Sequence, residues 1–299
     1  MQFDSLNQMQ YIQVKLMNKT KSTKPAIYTL TALFIFFTGW WIINGISASF
    51  RVKSYVLFSE VYGLIALVGG LYGLYISKSL GGYKSYFGKA IIWLSIGLLL
   101  QEFGQLAYSY MNSIQHVEVP YPSIPDIGFF GSVPAYILGA YYLAKGLGVS
   151  TIIKKSPAKL IGSILVAVVI LVGTYWMFLK GYDTSGKSNA VVFFDFAYPI
   201  TQAIFVVIAM VTFLSVGRLL GGTMKKPVLL LLLAFLVQFA ADANYLYQII
   251  KETWGPAGYG DYIYMLAYFI MSLSIIYLCL PVIALRTPKQ NSVEAEATD

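Results

Sequence analysis

Long apolar runs, separated by short polar or proline-bearing stretches, recur from Ile27 to Leu285. Each is close to the ~20 residues that an α-helix needs to cross a bilayer. They lie at Ile27–Ile46, Val56–Ile76, Ala90–Tyr110, Ile127–Leu147, Leu160–Leu179, Val191–Val216, Val228–Ile249 and Tyr262–Leu285. Pro25, Pro120, Pro122, Pro157, Pro227 and Pro256 fall at or near their ends, where a missing N–H is tolerated. The runs are too long and too continuously apolar for the alternating strands of a membrane β-barrel. The pattern predicts an all-α integral membrane fold with eight transmembrane helices.

Residues 1–24 are polar, rich in Gln and Asn, and lack the apolar core of a cleavable signal peptide, so the first span is expected to act as its own insertion signal. Phe3, Leu6, Met9 and Ile12 recur every three residues. They fit an interfacial helix on the cytoplasmic surface, or equally a disordered tail. Residues 287–299 form a short tail, acidic from Asn291 to Asp299, that reads as disordered and cytoplasmic.

Composition narrows the class further. Of 299 residues, 58% are hydrophobic and 11% charged, and the mean hydropathy is +0.67. A soluble domain carries roughly 25% charge to cover its surface, so that class is excluded. The one cysteine, Cys279, has no partner in its own chain for a disulfide. The one histidine, His116, excludes a bis-histidine haem and a His-rich metal site. No Walker loop or G-x-S-x-G elbow is present, and no lysine lies mid-span in the last two runs to hold a retinal. The sequence leaves any cofactor unidentified and assigns no catalytic residue.

The basic residues fix an orientation. With the N-terminus cytoplasmic, Lys15, Lys19, Lys21 and Lys24 lie inside, followed by Lys78, Lys84 and Lys89, then Lys145, Lys154, Lys155 and Lys159. Arg218, Lys225, Lys226, Arg286 and Lys289 complete that side, leaving only Arg51, Lys53, Lys180, Lys187 and Lys251 outside. Sixteen of 21 basic residues on one side is a strong positive-inside signal and requires an even helix count. The net charge of +8 therefore reflects topology, not nucleic-acid binding.

The chain also repeats. A shift of 137 places Lys89 on Lys226, Gln101 on Gln238, Tyr108 on Tyr245 and Tyr110 on Tyr247. A shift of 135 places Trp41 on Trp176, Val56 on Val191, Phe58 on Phe193, Glu60 on Asp195, Asp126 on Asp261, Tyr142 on Tyr277 and Leu143 on Leu278. Two four-helix units follow, 25–148 and 149–286. With an even helix number each, they have the same orientation and form a parallel repeat.

In this frame six carboxylates gather in the outer half. Glu60, Asp126, Asp195 and Asp261 stand near the outer starts of the even-numbered spans, and Glu102 and Asp242 in the outer halves of spans three and seven. Under the 137 shift Gln105 falls on Asp242, three residues from Glu102 and on the same helix side. Charge in hydrocarbon costs several kcal/mol, so such groups should face the bundle interior or a wet cavity. The expectation is an outward-facing pocket for a small polar molecule, amine or cation. Its expected residues are those six carboxylates with Gln105, Asn244, Tyr108 and Tyr245. Competing structural explanations are N-capping by Asp126 and Asp261 and interfacial hydration of Glu60 and Asp195. Close helix packing accounts for Gly69 and Gly73, and the membrane-interface belt for most of the 24 tyrosines.

Two resemblances bear on function. The element Pro122-Ser-Ile-Pro-Asp126 after Glu102-Phe-Gly-Gln-Leu-Ala-Tyr108, and Ala241-Asp-Ala-Asn-Tyr-Leu-Tyr247 before Tyr259-Gly-Asp261, resemble the multi-helix membrane domains at the N-terminus of bacterial GGDEF/EAL cyclic-di-GMP proteins and some histidine kinases. The resemblance covers most of the helical region. It implies an outward-facing sensory module in the cell membrane; here no output domain follows, so a signalling partner is expected. Gly258-Tyr-Gly-Asp261 is similar to the G-x-G-D of presenilin-like aspartyl proteases, with Asp195 as second aspartate. Against it, Asp126 lacks the glycines of its repeat mate, and Leu280-Pro-Val stands where that family has P-A-L. The expected function is sensing or binding of an extracytoplasmic ligand or cation; the alternative is a proton- or cation-coupled transporter or channel.

Overall fold

A computed structural model describes residues 2–46, 51–117, 119–216, 225–251 and 253–285. Arg218, Arg286, Lys289 and the 287–299 tail lie outside the described residues, as do the side chains of Arg51, Phe3, Leu6, Met9 and Ile12.

Among the described residues ten α-helices follow one another: α1 (Gln2–Ile46), α2 (Arg51–Val61), α3 (Leu64–Ser77), α4 (Tyr86–Ser109), α5 (Ile124–Gly146), α6 (Val149–Lys154), α7 (Pro157–Thr174), α8 (Asn189–Val216), α9 (Lys225–Ile250) and α10 (Tyr259–Leu285). Wider π-turns extend α4 over Tyr110–Ile114 and α7 over Tyr175–Leu179. Among the described residues eight helical segments are long and apolar enough to cross a membrane, beginning with Thr23–Ile46 and ending with Tyr259–Cys279. The protein is therefore a helical multi-pass membrane protein. Most spans extend a few residues beyond the apolar runs, because polar residues at the ends continue the backbone ladder.

The second span is made of two helices. Its i→i−4 ladder is interrupted at Tyr62–Gly63, where the Ile65 N–H turns to Tyr62 O, three residues back, and it resumes with the Leu67 N–H on Gly63 O. The freed Ser59 carbonyl accepts instead from the Gln105 side chain of α4.

Between lipid-exposed helices there is no hydrophobic driving force, so association rests on close packing. α4 and α5 show this best: a Cβ added at Gly128 meets Gly104 N at 2.4 Å and Leu100 O at 2.5 Å, both backbone. Gly97 receives the Tyr136 ring and Gly139 the Leu94 side chain. Gly69 and Gly73 of α3 lie against Ser272 of α10 and Ser95 of α4. α3 thus packs between α4 and α10, α10 between α3 and α9, and α8 against α5, α7 and α9. Tyr136, Phe205 and Phe235 meet edge-on or tilted where α5, α8 and α9 converge. α7 leans on α8 and leaves Leu165, Val169 and Trp176 exposed.

Candidate functional site

All six membrane carboxylates lie toward the same end of the bundle, where α2, α5, α8 and α10 start. The structure divides five of them among three hydrogen-bond networks and leaves Glu60 apart, with Ser113.

The first joins α1, α2, α4 and the turn before α10. Asp261 accepts from Ser59 Oγ at 2.6 Å and from the Ala257 N–H at 2.9 Å. That N–H also reaches Ser59 Oγ at 2.7 Å, and Trp41 Nε1 donates to the Ala257 carbonyl at 2.9 Å. Ala257 has φ 55°, a left-handed conformation costly for a residue with a Cβ; bonds to both its polar groups hold it there. Gln105, on the Ser59 carbonyl, accepts from Tyr62 OH at 3.4 Å. Beside it stands Glu102, 2% exposed, its carboxylate packed on the helix break so that a Cβ on Gly63 would lie 2.0 Å from Oε2. Neither Glu102 oxygen receives a hydrogen bond. A buried anion without a donor is costly, which sets Glu102 apart from the other five.

The second network is centred on Asp242 of α9. Tyr264 OH donates to it at 2.8 Å, and Gln238 Nε2 lies 3.3 Å from each oxygen. One helical turn along α10, Tyr268 OH donates to Gln101 at 2.9 Å, and Gln101 donates to Ser132 at 2.7 Å. The Tyr268 ring stacks on Tyr62 with centroids 6.0 Å apart, so the first two networks touch through aromatic faces.

The third lies at the rim. Asp126 accepts from the Ser123 N–H at 2.7 Å and from Tyr198 OH at 3.0 Å. Asp195 accepts from Tyr182 OH and is paired with Lys187 at 3.3 Å. Burial, then the neighbouring Asp195 and Asp126 carboxylates, hold the phenol of the loop residue Tyr121 well above its usual value.

Asp126 and Asp261 are not the N-caps themselves. Each stands in the first turn of its helix and reaches back, Asp126 to the Ser123 N–H and Asp261 to the Ala257 N–H. Helix geometry explains this, since a first-turn carboxylate faces N–H groups with no intrahelical partner. Glu60 accepts from Ser113. Asn244 donates to Gln248 at 3.1 Å, beside Gly260. Tyr108 meets the Trp254 ring edge-on, and Tyr245 is exposed. Among the described residues no three His, Cys, Asp or Glu side chains converge as metal ligands.

Ser59, Tyr198, Tyr264 and Tyr268 were not singled out from the sequence, and Trp41 only as the repeat mate of Trp176. Tyr264 and Tyr268 carry a signal, standing three and seven residues after Asp261 on one helix face. Ser59 carries none, because a lone serine in an apolar helix does not announce a distant partner. A groove of about 360 Å³ opens beside the first network, lined by Trp41, Ile42, Gly45, Ile46, Tyr55, Pro256, Ala257 and Gly258. No known protein family matches the chain, and no curated protein or solved structure matches it.

Proposed function

We propose that this chain is a cell-membrane protein that senses or binds a small extracytoplasmic ligand or cation through the carboxylate end of its bundle, and relays occupancy to a signalling partner. The observation that carries this is Glu102: a carboxylate buried inside a membrane span with no donor on either oxygen. Intramembrane carboxylates face functional sites unless paired. The proposed orientation, termini cytoplasmic and carboxylates outward, is supported by the basic residues. The proposed duplication is supported by matching helix contacts: α4 on α5 and α9 on α10, α3 on α4 and α8 on α9, α10 on α3 and α5 on α8.

Thermal unfolding of detergent-purified protein, screened against alkali cations, amines and pH, tests it. At least one should raise the Tm of the wild type and leave Glu102→Gln unmoved. A screen in which every response is shared by both proteins rules the binding role out.

The broken second span supports a second reading, proton- or cation-coupled transport, because transporters place discontinuous helices beside intramembrane ion sites. Flux in liposomes that Glu102→Gln abolishes separates transport from sensing. For an aspartyl protease support is poor: Asp195 is ion-paired with Lys187, while Asp261 is held by Ser59 and Ala257.

A further inference from the structure

We propose that Glu102 is a proton-binding site, so that the cation taken up at this end of the bundle is a proton. This rests on the binding role argued above and narrows its ligand.

Three ligand classes compete for an unpartnered carboxylate: a metal cation, an organic amine and a proton. A hard metal cation takes about six oxygens or more. Around Glu102 the side-chain oxygens are already committed. Gln105 uses its amide N–H on Ser59 O and its carbonyl on Tyr62 OH, and Asp261 holds Ser59 and the Ala257 N–H. Among the described residues no third carboxylate, histidine or thiol joins a pair here. An amine needs space as well as charge, but Glu102 is 2% exposed, and the groove of about 360 Å³ is lined by other residues. A proton needs neither a coordination shell nor a cavity. Hydronium gives it to one carboxylate oxygen: one O–H bond forms, the hydronium O–H bond breaks, and water is released.

Among the described residues no positive side chain bonds to Glu102 to do the same work. Sharing this neighbourhood are Tyr62 from the second span, Tyr268 and Asp261 from α10 and Asp242 and Tyr245 from α9. From α5, the helix packed most closely on α4, Asp126 stands near this end, and Lys145 lies at the other end over the Tyr86 ring. At the carboxylate end, Lys187 pairs with Asp195 and Lys180 covers the Trp176 ring. Tyr136 of α5 joins them through Tyr268, so the titratable groups brought near Glu102 are acids; Lys53, His116 and Lys251, at the same end, are exposed, and none bonds to it.

The helix break is what the carboxylate rests on. Gly63 is the N-cap of α3 and follows the end of α2 at Val61, so the carboxylate lies where the positive end of one helix meets the negative end of another, and no N–H of either donates to it. Gain of the proton removes an uncompensated anion from that junction, and loss of the proton restores it. Because α3 grips α10 through Gly69 and Ser272, the proton's arrival acts on the interface that joins the first network to the second.

Infrared difference spectra of the full-length protein in nanodiscs, recorded between acid and alkaline pH, test this. The wild type should show a protonated-carboxyl stretch that disappears on alkalinisation. Glu102→Gln should remove that band and Glu102→Asp should shift it, while Asp183→Asn, in an exposed loop, should leave it in place. The shift in Glu102→Asp assigns the band even if Glu102→Gln folds poorly. A wild-type band indifferent to both changes at residue 102, or no band at all, overturns the proposal. If a metal cation or an amine then stabilises the wild type but not Glu102→Gln, the binding role survives with another ligand. If neither the band nor any stabilisation depends on Glu102, both fall.

Discussion

Ala257 concentrates the bonding of the first network on one peptide. An L-residue in the left-handed region is strained by roughly 1–2 kcal/mol, and here Trp41, Ser59 and Asp261 hold it there. Glycine at this position removes the strain but gains freedom in the unfolded chain worth about 0.5–1 kcal/mol. Ala257→Gly should therefore leave stability unchanged or raise it by about 0.5 kcal/mol, whereas Ala257→Val, β-branched, should lose more than about 1 kcal/mol. Trp41→Phe keeps the stacking on Tyr262 and loses one hydrogen bond, for a cost of about 1 kcal/mol. Thermal unfolding followed by intrinsic fluorescence measures all three. A Trp41→Phe protein as stable as the wild type, with Ala257→Val tolerated, means that the turn is not clamped as drawn.

Helix contacts here are decided by which residues lack a side chain. Gly128 and Gly131 lie one turn apart on α5. A methyl at Gly128 meets α4 backbone at 2.4–2.6 Å, while at Gly131 it finds only the Leu100 side chain at 3.8 Å or more. Backbone cannot step aside, so Gly128→Ala should cost about 1–3 kcal/mol, and Gly131→Ala close to nothing; equal losses of Tm would mean that the α4–α5 approach is looser. Burial separates α7 from the centre in the same way. Leu94→Ala empties a fully buried site and should cost about 2–5 kcal/mol, but Val169→Ala on the exposed face of α7 should change stability by less than about 0.5 kcal/mol. Elements of this kind are legible in sequence because length and unbroken apolarity are properties of each segment alone; so was the placing of Asp126 and Asp261 at helix starts, though as caps and not in the first turn. What was not legible depends on partners far away in the chain. The break at Gly63 is stabilised by Gln105 from another helix, and Asp242 is distinguished from Glu102 only by Tyr264 and Gln238 facing it. For the same reason six carboxylates at one depth looked like one pocket: depth follows from position in a span, but azimuth around the bundle is set by packing.

At the scale of the whole molecule, function hinges on which side of the membrane the carboxylate end faces. Basic residues kept on the cytoplasmic side orient a chain because their transfer across the bilayer is disfavoured, and the two largest clusters here flank the first and fifth spans. Eight spans return the chain to its starting side, so a single loop determines every other. The protein is suited to a direct measurement, since its one cysteine, Cys279, is buried and gives a low background to a thiol reagent. Ser185 stands in the exposed loop between α7 and α8, and Tyr83 in the exposed turn between α3 and α4, at opposite ends of the bundle. In intact cells a membrane-impermeant maleimide should label Ser185→Cys readily, and label Tyr83→Cys only after the membrane is permeabilised. The reverse pattern would place Glu102, Asp242 and Asp261 toward the cytoplasm. The ligand or proton would then have to come from inside the cell, and an extracytoplasmic sensor would be excluded whatever the titration of Glu102 showed.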